Sequence, residues 1–335
     1  MSLLPRALGV VFGLLILGSA VKTAADGYYT SGFRQEGFRF EAVLSAAAAD
    51  LDGDGRDELI LAGRNYLDRE ACAEILGWEA GSFALEWRSP NLLEPESSLL
   101  ALPVRLADGP ALVVLTRSCY RIFRRLDEGY AQIAEGSMPF AAEEGASADL
   151  DGDGTDELIL SATLRNTKSG REKNLRVLSF SEGVFVPLVS SDPVGNVRGL
   201  AAGDLDLDGR AEVVAEIGVT TKPGEFQVFR LADGALRRLS RQKVPLPSVA
   251  YGLAVGRRFS EPETCLFAAS QPGRLLCFSW AKEALVAGGL QLSFRGSPVS
   301  LAAGDLDGDG RQEIVLVNYP ATLQIFVAKE DGGST

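Results

Sequence analysis

The sequence predicts an all-β fold, a β-propeller of six four-stranded blades, and three observations support this prediction. An acidic segment of nine residues recurs four times, beginning at residues 50, 149, 204 and 305. The gaps between these starts are 99, 55 and 101 residues, which correspond to two, one and two copies of a unit of about 50 residues. Short apolar runs separated by Gly, Asp and Ser are typical of strands, and no convincing helical periodicity follows residue 26.

Two further units lie in the long gaps between the acidic segments. Apolar runs at 98–105 and 111–115 fill the first gap, and runs at 249–255 and 265–269 fill the second. Both pairs of runs keep the apolar frame of the repeat without its carboxylates. The count is therefore six units, and the alternative of seven blades would need a further copy that we do not find in the sequence.

Each unit is expected to form four short strands. In the first unit, 42–49 precedes the acidic segment, 58–62 follows it, and 73–78 forms a hairpin with 83–87. Similar hairpins recur at 176–180 with 184–188 and at 226–229 with 235–239. The sixth unit has only three such strands, at 299–303, 313–317 and 323–327, and the alternating segment 32–40 is expected to supply the fourth. A strand from each end of the chain would then close the ring and remove its open edge.

The N-terminal segment has the pattern of a secretory signal peptide. Arg6 precedes the apolar run 7–17, and small residues follow at 18–20 and 23–25. We therefore predict a signal peptide over 1–25, a single propeller domain over 27–330 and an exported protein. Counting the apolar run as far as Val21 makes an uncleaved signal anchor the alternative. The expected location is periplasmic, extracellular or membrane-anchored and facing outside, and the membrane would be contacted only through such an anchor.

Composition narrows the range of functions. A content of 46% hydrophobic and 23% charged residues is normal for a globular protein. The net charge of −12 argues against nucleic acid as a partner, because nucleic acid requires a basic surface. The chain has no histidine, which excludes imidazole catalysis and His-ligated zinc. Enzymes that use carboxylates remain open, but we interpret Glu94, Glu96 and the pair Glu143 and Glu144 as solvated loop charges.

The four acidic segments read DLDGDGRDE (50–58), DLDGDGTDE (149–157), DLDLDGRAE (204–212) and DLDGDGRQE (305–313). Carboxylates at positions 1, 3, 5 and 9 repel one another unless a hard cation binds, and Ca²⁺ tolerates irregular oxygen geometry better than Mg²⁺ does. Solvated turns that merely favour Asp and Gly are the alternative, but four copies at fixed spacing favour calcium. An EF-hand would need Glu at position 12, where the chain has Leu61, Leu160, Ala215 and Leu316.

These segments and their flanking strands resemble the FG-GAP/VCBS repeat family, the propeller repeats also found in integrin α-subunits. The family pattern is a strand, D-x-D-x-D-G-x-x-D and an apolar strand, and it stands here as AAGDLDLDGRAEVVAE (201–216) and LAAGDLDGDGRQEIVLVN (301–318). The resemblance covers residues 38–328, with four clear copies and two that keep only the apolar strand pattern of the repeat. In this chain Glu replaces the commoner Asp at position 9.

The resemblance implies about four Ca²⁺ sites, one in each acidic segment. In the family, the carboxylates at positions 1, 3, 5 and 9 and the backbone carbonyl at position 7 bind the ion. The ligands implied for this chain are Asp50, Asp52, Asp54, Arg56 and Glu58; Asp149, Asp151, Asp153, Thr155 and Glu157; Asp204, Asp206, Asp208, Arg210 and Glu212; and Asp305, Asp307, Asp309, Arg311 and Glu313.

We expect the calcium to be structural, because each acidic segment joins two strands and uses its carboxylates on the ion. The four cysteines have no CxxC spacing, and they lie close to the units without an acidic segment. Disulfides Cys72–Cys119 and Cys265–Cys277 are predicted to stand in for the missing calcium there. The alternative is four buried reduced thiols.

The connections between the second and third strands of the units are expected at the rim opposite the acidic segments. They span 63–71, 116–121, 161–174, 218–225, 270–274 and 318–322, and they hold ten Lys or Arg residues against four acidic ones. We predict that this rim binds an anionic or sugar-like partner or another protein, while ordinary solvated loops are the alternative. The candidate contact residues are Arg64, Tyr66, Arg117, Tyr120, Arg165, Lys168, Arg171, Lys173, Lys222 and Tyr319.

The leading functional prediction is an exported calcium-binding propeller that acts as a non-enzymatic binding or scaffold module for a protein or glycan partner. The first alternative is a secreted carbohydrate-active enzyme, a polysaccharide lyase or hydrolase, because that chemistry can use carboxylates with Tyr or Lys. The second is the ectodomain of a membrane-anchored adhesion or sensor protein. The fold alone does not choose among these functions.

Overall fold

The fold is a ring of six antiparallel four-stranded sheets, which confirms the predicted six-bladed β-propeller. The computed structural model describes residues 29–35, 40–79, 81–92, 99–127, 129–168, 170–219, 222–248, 250–258 and 263–328. All regular secondary structure in these residues is strand. Within the same residues, no helix has the length and apolarity needed to cross a membrane. The predicted signal peptide lies outside the described residues.

The blades follow one another along the chain, and their strands are numbered in chain order. The first blade comprises β2 (Ala42–Ala49), β3 (Glu58–Asn65), β4 (Glu70–Glu79) and β5 (Ser82–Arg88), after an N-terminal β1 (Tyr29–Gln35). The second comprises β6 (Leu100–Leu106), β7 (Gly109–Leu115), β8 (Cys119–Leu126) and β9 (Gly129–Ser137). The third comprises β10 (Ala142–Ala148), β11 (Glu157–Thr167), β12 (Gly170–Ser181) and β13 (Val184–Ser190).

The second half of the chain continues in the same way. The fourth blade comprises β14 (Val197–Gly203), β15 (Glu212–Ile217), β16 (Glu225–Ala232) and β17 (Ala235–Lys243). The fifth comprises β18 (Ala250–Arg257), β19 (Thr264–Ser270), β20 (Arg274–Ala281) and β21 (Ala284–Ser293). The sixth comprises β22 (Ser297–Gly304), β23 (Glu313–Tyr319) and β24 (Thr322–Ala328), with β1 as its outermost strand.

The ring is closed by strands from both ends of the chain, as predicted. Strand β1 pairs antiparallel with β24, from Tyr29 opposite Ala328 to Gln35 opposite Leu323. The closing strand lies at Tyr29–Gln35 rather than at 32–40. Phe40 instead packs in the apolar core between the first and sixth blades, where it is 4% exposed.

The core is divided among the interfaces between blades. The first strand of each blade contacts the first strands of both neighbours, and six apolar clusters each lie between one pair of neighbouring blades. The second strands β3, β11, β15, β19 and β23 are almost wholly buried over their first residues, because neighbouring blades cover both of their faces. This burial on both faces explains why they read in the sequence as continuous apolar runs.

The antiparallel path places the two kinds of connection at opposite rims of the ring. The first-to-second connections, which include the acidic segments, form what we name the metal rim, and the second-to-third turns form the turn rim. The prediction of a loop over 161–174 is wrong, because β11 and β12 continue through this segment and pair as far as Thr167 opposite Gly170. The basic residues of this segment therefore lie on a long hairpin of defined register.

Candidate metal centres

Each acidic segment is a compact loop folded around its first aspartate. In the first loop, Oδ1 of Asp50 accepts the N–H of Gly53 at 2.6 Å, and Oδ2 accepts that of Gly55 at 3.1 Å. Both glycines have positive φ, 83° and 90°, a conformation that is strained for residues with a Cβ. Asp149 and Asp305 accept equivalent bonds in their own loops. Glycine at positions 4 and 6 therefore allows the chain to turn around the carboxylate.

Positions 2 and 9 anchor each loop to the core. Leu51, at position 2 of the first loop, is 2% exposed, and Oε2 of the buried Glu58 accepts its N–H at 2.8 Å. The same leucine–glutamate bond recurs in the other three loops, at 2.9 to 3.0 Å. This leucine was not predicted as part of the site, although its presence at position 2 of all four segments is a visible signal.

The carboxylates of positions 1, 3 and 9 converge in every loop. One oxygen of each lies within 4.8 Å of the oxygens of the other two. Two oxygens bound to the same Ca²⁺ lie at most about 5 Å apart, so the spacing fits a calcium ion. The converging sets are Asp50, Asp52 and Glu58; Asp149, Asp151 and Glu157; Asp204, Asp206 and Glu212; and Asp305, Asp307 and Glu313.

The position-5 aspartates lie outside these converging sets. Oδ1 of Asp54 accepts the N–H of Arg56 at 2.8 Å, and the other three loops have the same bond at 2.8 to 3.0 Å. Metal ligation by position 5 and by the position-7 carbonyl therefore stays a prediction. The residues concerned are Asp54, Asp153, Asp208 and Asp309, with Arg56, Thr155, Arg210 and Arg311.

The buried glutamates at position 9 are electrostatically unfavourable without a cation. Burial, together with the aspartates of its own loop and Glu86, raises the pKa of Glu58 to about 8. Burial and the neighbouring aspartates raise the pKa of Glu157 to about 7 and that of Glu313 to about 8. A cation among these oxygens would offset both the burial and the repulsion. The donor set therefore suits a divalent ion with a preference for oxygen.

Position 8 connects each loop to the preceding blade. In the first loop, Asp57 donates its N–H to the carbonyl of Asp305 at 2.8 Å, and its Oδ2 accepts the N–H of Asp305 at 2.7 Å. Asp156 makes the same two bonds with Arg105 of the second blade, at 2.8 and 2.7 Å. Each of these loops thus closes one interface of the ring with a pair of hydrogen bonds.

The other two loops make related single bonds. Ala211 donates its N–H to the carbonyl of Asp149 at 2.8 Å, and Oε1 of Gln312 accepts the N–H of Arg257 at 2.5 Å. The four loops therefore connect blades six and one, two and three, three and four, and five and six. The role of position 8 was not predicted from the sequence, because its residue type varies among the four copies.

The charged groups beside the loops differ between blades. In the first blade, Glu86 adds a carboxylate, and Nη1 of Arg125 lies 3.9 Å from both Oδ2 of Asp52 and Oε2 of Glu86. In the fourth blade, the guanidinium of Arg230 forms ion pairs with Asp206, Asp208 and Glu212. The four loops are therefore not equivalent electrostatically.

The predicted partner-binding residues lie on or beside the turn rim. Tyr66 and Tyr319 are 60% and 61% exposed and belong to the neighbouring first and sixth blades. The side chain of Arg165 is 71% exposed and pairs with Glu172. Exposed or half-buried positions are also occupied by Arg64, Arg117, Lys168, Arg171 and Lys222.

Two of the predicted contact residues are wrong for that role because they are buried. Tyr120 is 3% exposed, packs edge-on against Phe185, and accepts the N–H of Phe185 through its hydroxyl at 3.1 Å. Lys173 is also buried; its Nζ lies 3.0 Å from Oε2 of Glu143 and donates to the carbonyl of Val197 at 2.6 Å. Both side chains are committed to contacts within the fold.

The interpretation of Glu143 and Glu144 as solvated loop charges is also wrong. Both lie on β10 and are half-buried. Burial alone would raise the pKa of Glu143, but hydrogen bonds from Thr163 and Lys173 lower it to about 2. Burial raises the pKa of Glu144 to about 7. The other two carboxylates interpreted in this way, at 94 and 96, lie outside the described residues.

The four cysteines are thiols in this structure, and none is in a disulfide. The prediction of Cys72–Cys119 is wrong, because Cys72 packs in the cluster between the first and sixth blades whereas Cys119 begins β8 of the second blade. Cys265 and Cys277 lie on the adjacent strands β19 and β20 and are hydrogen-bonded to each other. That hydrogen bond and burial raise the pKa of Cys277. Oxidation of this adjacent pair stays a prediction.

Comparison with protein families supports the resemblance drawn from the sequence. A family model described as the FG-GAP-like repeat matches residues 149–215, which run from the acidic loop of the third blade, through that of the fourth, into β15. No curated protein matches the chain. The chain is therefore a six-bladed β-propeller in which residues 149–215 match the FG-GAP-like repeat.

Proposed function

We propose that this propeller is an exported, calcium-stabilised and non-enzymatic module that binds or scaffolds a protein or glycan partner. The FG-GAP-like repeat and the propeller fold already suggest a binding or scaffold module. Calcium in the acidic loops, export and the partner surface are the further parts of the proposal. The observation that carries it is the double role of the loops, which gather three carboxylates each and also connect neighbouring blades.

A structural role for calcium follows from where the loops lie. An ion bound by Asp149, Asp151 and Glu157 would hold the loop in the conformation in which Asp156 bonds to Arg105 of the preceding blade. The binding free energy of the ion would then add to the stability of the ring. Extracellular calcium is plentiful enough to fill even sites of modest affinity, which agrees with the signal-peptide pattern of the N-terminus.

The partner surface in this proposal is the turn rim. Its exposed Tyr66 and Tyr319 offer aromatic faces to a sugar ring or a protein, and Arg165, Lys168 and Lys222 offer charge to an anionic group. These groups stand on the connections between second and third strands of the ring, and loops on such a scaffold are where binding residues commonly lie. The non-enzymatic part of the proposal is supported by Glu143. Its carboxylate forms ion pairs with Arg171 and Lys173, which argues against a role in acid–base catalysis.

Thermal unfolding with calcium or with excess chelator tests the metal part of the proposal. Calcium should raise the melting temperature and leave the far-ultraviolet spectrum that of a β-protein. Magnesium at the same ionic strength is the matched control, because its stricter octahedral geometry suits these loops less well. Identical melting curves in calcium and chelator would contradict the proposal.

Capture from the native exported fraction tests the partner part. The intact propeller should retain a partner that a variant with Arg165, Lys168 and Lys222 all changed to Glu does not retain. A control variant with Arg237→Glu carries a charge reversal on the outer strand β17 instead, where Arg237 is 60% exposed. Equal retention by all three proteins would refute binding at the turn rim, and N-terminal sequencing of the mature chain would show whether the signal segment is cleaved.

A further inference from the structure

The acidic loop of the fourth blade contains a cation supplied by the protein itself. Nε of Arg230 donates to Oε1 of Glu212 at 2.8 Å, and Nη2 donates to Oδ2 of Asp206 at 2.5 Å. Nη1 lies 3.3 Å from Oδ2 of Asp208. The guanidinium therefore bridges carboxylates from positions 3, 5 and 9, two of which belong to the set that would hold a metal.

Strand register explains why this contact occurs in only one of the four loop-bearing blades. Val213 on β15 pairs with Phe229 on β16, so the next position, Arg230, stands across from Glu212. The same construction in the other blades is made from Leu59 with Leu76, Leu158 with Leu178, and Ile314 with Phe326. The residues equivalent to Arg230 are then Gly77, Ser179 and Val327, none of which carries a charge.

The backbone of the fourth-blade loop differs as well. Position 4 is Leu207 in place of glycine, with φ of 62°, and its side chain is 55% exposed. One loop bond is shared, because Oδ1 of Asp204 accepts the N–H of Asp208 at 3.1 Å as Oδ1 of Asp149 accepts that of Asp153 at 3.2 Å in the third blade. A side chain at this positive φ is strained, so the loop tolerates a cost that the glycines at the same position of the other three loops avoid.

A metal ion and the guanidinium compete for the same oxygens. Calcium would need oxygens of Asp206 and Glu212 at about 2.4 Å, and these two side chains already accept charge-assisted hydrogen bonds from Arg230. Glu212 is fully buried, and the guanidinium of Arg230 offsets its negative charge by a direct ion pair. Binding of an ion would require Arg230 to leave, with the loss of every one of these bonds.

We infer that Arg230 takes the place of the metal in the fourth blade, so that this propeller binds three calcium ions although it has four acidic loops. The inference rests on the proposed calcium binding of the other three loops. It assigns Arg230 as a built-in counter-ion that holds the fourth-blade loop in place without calcium.

Counting bound ions tests the inference directly. Native mass spectrometry or equilibrium dialysis in calcium should give three ions per chain for the natural protein and four for Arg230→Ser, which copies Ser179 of the third blade. Arg241→Ser is the matched control, because Arg241 pairs with Glu225 on the same blade, away from the loop, and should leave three ions bound. Four ions on the natural protein, or three on Arg230→Ser, would overturn the inference. No ions on any of the proteins would refute the calcium proposal itself.

Hydrogen exchange of the natural protein gives a second test that needs no variant. Transfer from calcium to chelator should speed exchange of the amides of Gly152 and Gly154 and leave Gly209 unchanged, because Arg230 holds the loop of Gly209 in both conditions. Equal loss of protection in the two loops would overturn the inference. Loss confined to the loop of the third blade supports it and shows at the same time that calcium binds there.

Discussion

Replacing Glu157 by Gln should have opposite effects on the protein without calcium and on its response to calcium. Glu157 is 2% exposed, its Oε2 accepts the N–H of Leu150 at 2.9 Å, and burial with the loop aspartates raises its pKa from 4.5 to about 7. Glutamine keeps an oxygen for the bond to Leu150 and removes the charge. In chelator at pH 8, the variant should therefore be more stable than the natural protein.

The magnitude follows from the pKa change. Because the folded-state pKa is raised, the cost of ionising Glu157 is absent below its unfolded pKa and grows as the pH rises through about 7. A rise from 4.5 to about 7 corresponds to about 3 kcal/mol of unfolding free energy at pH 8, and to less than about 1 kcal/mol at pH 5. At about 2 °C per kcal/mol for a chain of this size, the melting temperature in chelator should rise by roughly 6 °C at pH 8.

Calcium should stabilise the variant less than the natural protein, because one charged ligand is lost. At a free calcium concentration of one hundred times Kd, a filled site contributes about 2.7 kcal/mol to the free energy of unfolding, and the variant should lose this contribution. Denaturant and thermal unfolding at pH 5 and pH 8, each with calcium and with chelator, would measure both effects. Glu135→Gln, on the outer strand β9 where the carboxylate is exposed, is the control and should change little. A variant less stable than the natural protein in chelator at pH 8 would refute the reasoning.

Three further predictions concern other groups. Asp156→Ala removes the acceptor of the Arg105 N–H and should lower the free energy of unfolding by about 1 to 2 kcal/mol in denaturant titrations; no change would show that only the backbone bond of this loop matters. Calcium binding at pH 7 should release protons, because Glu58 and Glu313, with pKa values of about 8, must ionise to bind the metal. Calorimetry in buffers of different ionisation enthalpy would detect that release, and heats that do not depend on the buffer would contradict it. Lys173→Met should cost about 1 to 3 kcal/mol, because the half-buried carboxylate of Glu143 loses its buried partner and keeps Thr163 and the more exposed Arg171. The double variant with Glu143→Gln should recover part of this loss. A cost under about 1 kcal/mol for Lys173→Met alone would show that the ion pair contributes no more than an exposed one.

The architecture could be predicted because its main signal is local and repeated. The acidic segments recur at multiples of one unit, and the apolar runs after them, such as 59–62, are covered on both faces by neighbouring blades. Position 9 could be predicted for the same reason, since Glu58 and its three counterparts stand directly before those runs. The pattern therefore contained the number of blades and the place of each acidic loop.

The errors arose where strand register and contacts between strands, rather than the residue pattern, determine the position of a side chain. The segment 161–174 is polar and has no apolar period, so nothing in its pattern shows the register that carries β11 and β12 as far as Thr167. Lys173 resembles an exposed basic residue until the fold brings Glu143 within 3.0 Å of it. Arg230 lies 18 residues after Glu212, and only the register of β15 and β16 shows that the two are neighbours.

The order of the loop-bearing blades has a consequence for the symmetry of the molecule. Loops are present on blades one, three, four and six, so half a turn about the central axis places each of these blades on another one. The loop starts keep the same repeat, because Asp50 and Asp204 are 154 residues apart and Asp149 and Asp305 are 156 apart. The connections made by position 8 obey the same half turn, which exchanges six–one with three–four and two–three with five–six.

Charge breaks this twofold arrangement at one pair of opposite blades. Arg230 adds a positive charge to the fourth blade. The equivalent residue of the first blade is Gly77, and its lack of a Cβ leaves room for the carboxylate of Glu86. In the absence of bound calcium, one edge of the metal rim is therefore more negative than the edge diametrically across from it. The calcium-free ring thus has a charge polarity within its own plane, and a charged molecule that approaches the metal rim would favour one of the two orientations related by the half turn.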